Sequence, residues 1–187
     1  MRIISGRARG THLLTPADER IRPTSDRVRE SLFNILAHLP DFTLRKATVA
    51  DLFCGTGALG LEALSRGAAY CVFADRSQSA LDLARKNIAK TRFEDQSLCL
   101  KTSADKVAKH PRLGEARFDL VFLDPPYRQD LAPPVINALL ENDRIQDGCL
   151  FIVEMAEDAP EDITHPALTR LQTRQYGQTR IDLYQKA

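Results

Sequence analysis

The chain has 187 residues, 43% apolar and 27% charged, enough for one ordinary domain with its own core and too apolar for a disordered segment. No run approaches the roughly eighteen apolar residues that a membrane span needs, and Met1–Arg7 lacks an apolar secretion core, so the expected compartment is cytoplasmic. The net charge of +1 is unevenly spread. Residues 1–30 hold seven arginines against four acids, or +3, and the rest holds 19 basic against 21 acidic residues, or −2. A basic N-terminal face on a neutral body suits contact with a polyanion such as RNA, although solvated surface arginines would read the same way.

The opening reads as a hairpin, Arg2–Ile4 and Thr11–Leu14 around a turn at residues 6–10. A loop follows and ends at Arg22-Pro23-Thr24-Ser25, where Thr24 or Ser25 can cap a helix over Asp26–His38. Val28, Leu32, Ile35, Leu36 and Leu39 step by three and four, which predicts one buried face. From Thr48 the pattern alternates. Strands are predicted at Val49–Phe53, Tyr70–Ala74, Leu98–Leu100, Leu120–Leu123 and Cys149–Val153. Helices are predicted near Ala58–Arg66, Ser77–Arg92, Asp105–His110 and Leu131–Glu141. Strands that are apolar throughout and joined by helices indicate a parallel sheet covered on both faces. Leu168–Tyr176 and Thr179–Tyr184, joined at Gly177, read as an antiparallel tail. Cys54, Cys71, Cys99 and Cys149 show no C-x-x-C, and His12, His38, His110 and His165 show no ligand spacing. Neither a disulfide framework nor a metal site is expected.

Two motifs carry chemistry. After the first core strand, Gly55, Gly57 and Gly60 satisfy G-x-G-x-x-G, and Asp75 ends the next strand. A dinucleotide site would show both, and so would a tight turn that binds nothing. Asp51 at the end of the first strand would repel a pyrophosphate. It would suit the ammonium group of S-adenosylmethionine, whose ribose diol Asp75 could accept. Asp51, the glycine loop and Asp75 together resemble motifs I and II of class I methyltransferases. Asp105, after the third strand, falls where that fold contacts adenine, and serves equally well as a helix cap. The fourth strand runs directly into Asp124-Pro125-Pro126-Tyr127, at the sheet edge where ligands bind in open α/β folds. Asp124 and the Pro125 carbonyl can hold the two hydrogens of a base amine. Pro126 restricts Pro125 to an extended form, and Tyr127 offers a face for stacking.

Asp-Pro-Pro-Tyr resembles motif IV of the amino-methyltransferases acting on adenine, cytosine or guanine. Residues 22–34, residues 51–68, Arg2–Gly6 and Tyr176–Thr179 resemble the RsmD-type bacterial small-subunit rRNA guanine-N2 methyltransferases along nearly the whole chain. The resemblance implies a Rossmann-like class I methyltransferase fold, with a seven-stranded, mostly parallel sheet and an antiparallel C-terminal strand. Residues 1–24 would be an rRNA-facing basic extension, and residues 25–187 the methyltransferase domain. It implies a monomer that uses S-adenosylmethionine to methylate N2 of guanine 966 in 16S rRNA, within the small subunit or a late assembly intermediate. Carried over by position, Arg22, Pro23 and Thr24 would pack over the cofactor. Asp51, Phe53, Gly55 and Gly57 would hold its methionine end, Asp75 and Arg76 the ribose, and Ala104 and Asp105 the adenine. Asp124, Pro125, Pro126 and Tyr127 would handle the guanine, with Asp124 also facing the cofactor. Arg2, Arg7 and Arg9 would touch rRNA. Cys54 departs from a common alanine, and Asp75 from a frequent glutamate. Rival readings are an N6-adenine methyltransferase, for which the chain has no room for a target-recognition insertion, and a glutamine-N5 methyltransferase, which would prefer Asn-Pro-Pro-Tyr. A non-catalytic RNA-binding assembly factor that kept the fold is a further alternative.

Overall fold

The computed structural model describes residues 1–16, 26–125, 131–157 and 163–187. Its centre is a seven-stranded sheet formed by β1 (Thr48–Leu52), β2 (Tyr70–Asp75), β3 (Ser97–Lys101), β4 (Phe118–Leu123), β5 (Ile145–Ala156), β6 (Leu168–Tyr176) and β7 (Thr179–Lys186). The order across the sheet is β3-β2-β1-β4-β5-β7-β6. Strands β1 to β5 pair in parallel, and β7 pairs antiparallel with both β5 and β6. This is the class I methyltransferase arrangement expected above, with β7 alone running against the rest.

Strand periodicity of two sorts the side chains between two cores. Val49, Cys71, Phe73, Leu120, Phe122, Leu150, Ile152, Ile181 and Leu183 face one side. There they meet α1 (Asp26–Ala37), α2 (Ala58–Ser65) and α3 (Gln78–Thr91) through Phe33, Leu61, Leu64, Leu81 and Ile88. Ala50, Val72, Val121, Phe151 and Tyr184 face the other side. That side is covered by α4 (Ala132–Glu141) and a short 3-10 segment at Ala104–Lys109. Strands apolar on both faces are buried on both faces, which is why they read as continuous apolar runs.

Several boundaries differ from expectation. The predicted helix at Asp105–His110 is a 3-10 turn over Ala104–Lys109, followed at once by another at Pro111–Leu113. Pro111 lacks the N–H that a continuing helix would use. Phe53 is not the last strand residue: its φ of 65° turns the chain out of β1. β5 is longer than the apolar run at 149–153: Ile145 pairs with Phe118, and the register with β4 then shifts before Leu150 pairs with Leu120. On α1 the buried face includes Arg29, which periodicity alone leaves exposed. Its Nη2 donates to the Arg2 carbonyl at 2.5 Å and to Asp26 at 2.8 Å. The proposed Thr24 or Ser25 cap lies outside the described residues.

The N-terminal hairpin is tied to the body. Ile3, Ala8 and Leu13 are buried in the first core. The buried Glu62 carboxylate of α2 accepts the Ile4 and Ser5 N–H groups at 2.8 and 3.0 Å, and Ser65 Oγ accepts the Ala8 N–H at 3.0 Å. All four cysteines are free thiols, and no helix among the described residues is long and apolar enough to cross a membrane.

Candidate active site

The chain runs from β1 to β2 and β3 on one side and resumes at β4 and β5 on the other, so β1 and β4 flank the point where the sheet order reverses. In such sheets ligands bind beyond the carboxyl ends of the strands at this point. The glycine loop and the Asp124-Pro125 segment both emerge there.

The loop is shaped by left-handed backbone. Phe53, Gly55 and Gly57 have φ of 65°, 51° and 76°. Glycine adopts this conformation without strain, whereas at Phe53 it is costly, and such outliers concentrate at functional sites. A side chain at Gly55 would meet nothing within 4 Å, so the loop there borders open space. A Cβ at Gly60 would lie 2.4 Å from Phe73 Cε1 and 2.6 Å from Cys71 Sγ, so glycine lets α2 lie close against β2.

Carboxylates line this edge. Asp51, 3% exposed, accepts the Gly60 N–H at 2.9 Å. It therefore occupies the N-terminal end of α2, where a phosphate would otherwise bind. Burial pushes its pKa up to about 7, the Gly60 bond offsetting this in part and the Asp75 charge adding to it. Asp75 accepts the Gly55 N–H at 3.1 Å on one oxygen and the Ser77 N–H at 2.8 Å on the other. Each oxygen keeps a further lone pair for a hydroxyl. Asp124, half-buried two residues beyond Phe122, has its pKa raised well above the carboxylate range, first by burial, then by the charges of Glu154 and Asp51.

These residues fit a ligand that is cationic at one end and carries a diol. The helix end that would hold a pyrophosphate is taken by Asp51, and two carboxylates flank a loop open to a close-lying ligand. S-adenosylmethionine, with its ammonium, sulfonium and ribose, matches this donor set; a dinucleotide does not.

The structure brings Asp51, Phe53, Gly55, Gly57, Asp75 and Asp124 to one edge, with Pro125 half-buried beside them. Ala104 is buried at the start of the 3-10 turn, and Asp105, in its first turn, is exposed, as is Arg76. Arg22, Pro23, Thr24, Pro126 and Tyr127 lie outside the described residues. Arg2, Arg7 and Arg9 are exposed, but Arg7 is partly engaged: its guanidinium lies 4.4 Å over the Phe93 ring and bonds Gln96. Glu154 is a further acid at this edge. It is 8% exposed and follows Val153, which pairs with Leu123, so it stands across from Asp124. A signal for it exists in the sequence: like Asp75 and Asp124, it is an acid closing an apolar strand run.

A family model described as conserved hypothetical protein 95 matches residues 1–185. Ribosomal RNA small subunit methyltransferase D of Haemophilus influenzae is 35% identical over 186 residues, 99% of this chain and 93% of that protein. The protein of the same name from Escherichia coli is 37% identical over 158 residues, 82% of this chain and 74% of that one. The solved structure of yhhF from Escherichia coli superposes with a TM-score of 0.85 at 33% identity, covering 100% of this chain and 97% of that one.

Proposed function

The chain belongs to the family described as conserved hypothetical protein 95. From that membership and the carboxylates around the glycine loop, we propose that it transfers a methyl group to the N2 amine of one guanine, position 966, in 16S rRNA of the small ribosomal subunit or a late assembly intermediate. S-adenosylmethionine is the methyl donor, and when bound it supplies an electrophilic methyl group on a cationic sulfonium. The observation that carries the reading is the placement of Asp51, Asp75 and Asp124 at the switch point of the sheet, around a loop whose helix end is already filled by Asp51. The names of the relatives support rRNA as the substrate class.

Asp51 holds the ammonium end of the donor, and Asp75 takes the ribose diol while its bonds to Gly55 and Ser77 keep it aimed. Asp105 faces the adenine amine from the exposed first turn of its 3-10 segment. A guanine N2 is a weak nucleophile because its lone pair is delocalised into the ring. The Asp124 carboxylate and the Pro125 carbonyl accept its two hydrogens and favour a pyramidal nitrogen with a free lone pair. As the new N–C bond forms and the methyl group leaves the sulfonium, the ionised form of Asp124 takes the proton that N2 loses. Positioning and electrostatics lower the barrier, and no covalent enzyme intermediate is required.

The test combines labelled S-adenosylmethionine, the purified protein and small subunits from a strain lacking it. The expected result is label in 16S rRNA, abolished by Asp124→Ala with cofactor affinity retained. Absence of label in the presence of normal cofactor binding contradicts the proposal and favours a non-catalytic RNA-binding role.

A further inference from the structure

Asn87 interrupts the apolar face of α3, between Leu81, Ala84 and Ile88, and is 0% exposed. A buried amide is retained only when its groups are paired, and this one divides them between two distant segments. Its Oδ1 accepts the Leu14 N–H at 2.7 Å, and its Nδ2 donates to the Leu14 carbonyl at 3.0 Å. The side chain thus pairs with Leu14 as a neighbouring peptide group would. The remaining donor goes to the Thr56 carbonyl at 3.0 Å, between Gly55 and Gly57. Leu14 lies at the exit of the basic hairpin, and Thr56 lies in the middle of the glycine loop. At the far end of α2, Glu62 and Ser65 hold the same hairpin through Ile4, Ser5 and Ala8. The hairpin is therefore fastened to both ends of the helix that the glycine loop begins.

We propose that Asn87 is a positioning residue that locks the glycine loop to the hairpin exit, so that cofactor in the loop and rRNA on the hairpin strengthen each other's binding. The proposal rests on the function argued above. Coupling between two ligands is reciprocal: whatever order the cofactor imposes on the loop is transmitted through Thr56, Asn87 and Leu14, and the reverse holds equally. Asparagine is specific to this task. Aspartate keeps the shape and the acceptor for Leu14 but has no donor for the Leu14 and Thr56 carbonyls, and an alanine removes all three bonds.

The test measures S-adenosylhomocysteine affinity, and small-subunit affinity with and without saturating S-adenosylhomocysteine, for the wild type and Asn87→Asp under conditions where both are folded. The expected results are a loss of cofactor affinity of about tenfold in the variant, and a several-fold tightening of subunit binding by cofactor that only the wild type shows. A purely structural Asn87 would lower the melting temperature and leave that tightening factor unchanged, and this result overturns the proposal. Wild-type amide exchange supplies a check that does not depend on the variant folding. Cofactor should slow exchange at Leu14 as well as at Gly60; slowing at Gly60 alone contradicts the coupling. A wild type that does not bind S-adenosylhomocysteine at all is a different result, and removes the proposed function together with this inference.

Discussion

Asp51 caps α2 through the Gly60 N–H, and in the proposed function it also holds the ammonium end of the donor; the two roles pull in opposite directions with pH. Its carboxyl, pushed up to about 7, is neutral in the folded protein over a range in which the unfolded chain ionises it. Its contribution to stability is therefore fully present below about pH 4 and is lost as pH rises from there through 7. The loss reaches up to about 4 kcal/mol, because each tenfold gain in proton affinity on folding is worth about 1.4 kcal/mol. Urea unfolding at pH 5 and pH 8 should show this fall, and Asp51→Asn, which keeps an acceptor for Gly60, should reduce it. An equal fall in the variant would assign the pH dependence elsewhere. Cofactor affinity should move the other way. A cation needs the ionised carboxylate, so affinity should decline below pH 7, approaching tenfold per pH unit. Calorimetry between pH 5.5 and 8 checks this, and a flat profile would refute the ammonium contact. Asp51, Asp75 and Asp124 were legible because acids at strand ends beside a glycine loop are few. Glu154 is marked in the sequence only as an acid closing an apolar run, and Asn87 not at all, since the partners that give them meaning lie on other strands and helices and enter only through the register of β4 with β5 and the packing of α3.

At the level of elements, the glycine loop works because α2 lies close against β2. Gly60→Ala would force Cβ into Phe73 and Cys71, pushing the helix away and drawing the Gly60 N–H from Asp51. The expected cost is about 1–3 kcal/mol of stability, typical of overpacking, with weakened cofactor binding. Unfolding and binding measurements on this variant check both, and unchanged values would show that the contact relaxes freely. The strands were readable because burial on both faces leaves long apolar runs, as in β1, β2 and β4. Segments whose structure depends on neighbours were less readable. Ala104–Lys109 is a 3-10 turn because Pro111 and the docking of Val107 and Ala108 on the second core shorten it. The start of β5 depends on the pairing of Ile145 with Phe118 of β4.

For the whole molecule, the uneven charge predicts how it meets its substrate. The hairpin is fastened to α2 and α3 and carries exposed Arg2, Arg7 and Arg9, so it presents positive charge from a fixed position. Replacing Arg7 and Arg9 together with alanine should weaken subunit binding and reduce the slope of log affinity against log salt by roughly one to two. An unchanged slope would place the RNA surface elsewhere. The stacking of Arg7 on Phe93 also means that this double variant needs a stability control, so that a loosened hairpin is not mistaken for lost phosphate contacts. The basic character of residues 1–30 was evident from composition, whereas the attachment that makes the hairpin a fixed surface depends on Glu62, Ser65 and Asn87, far away in the chain.

The most direct measurement is the identity of the methylated nucleoside. Small subunits from a strain lacking the protein are methylated with labelled S-adenosylmethionine, and the 16S rRNA is digested to nucleosides. The proposed function requires that the label appear as N2-methylguanosine from a single site. Label in N6-methyladenosine or N4-methylcytidine would contradict it, keeping the fold and the role of Asp124 but overturning the assignment of guanine.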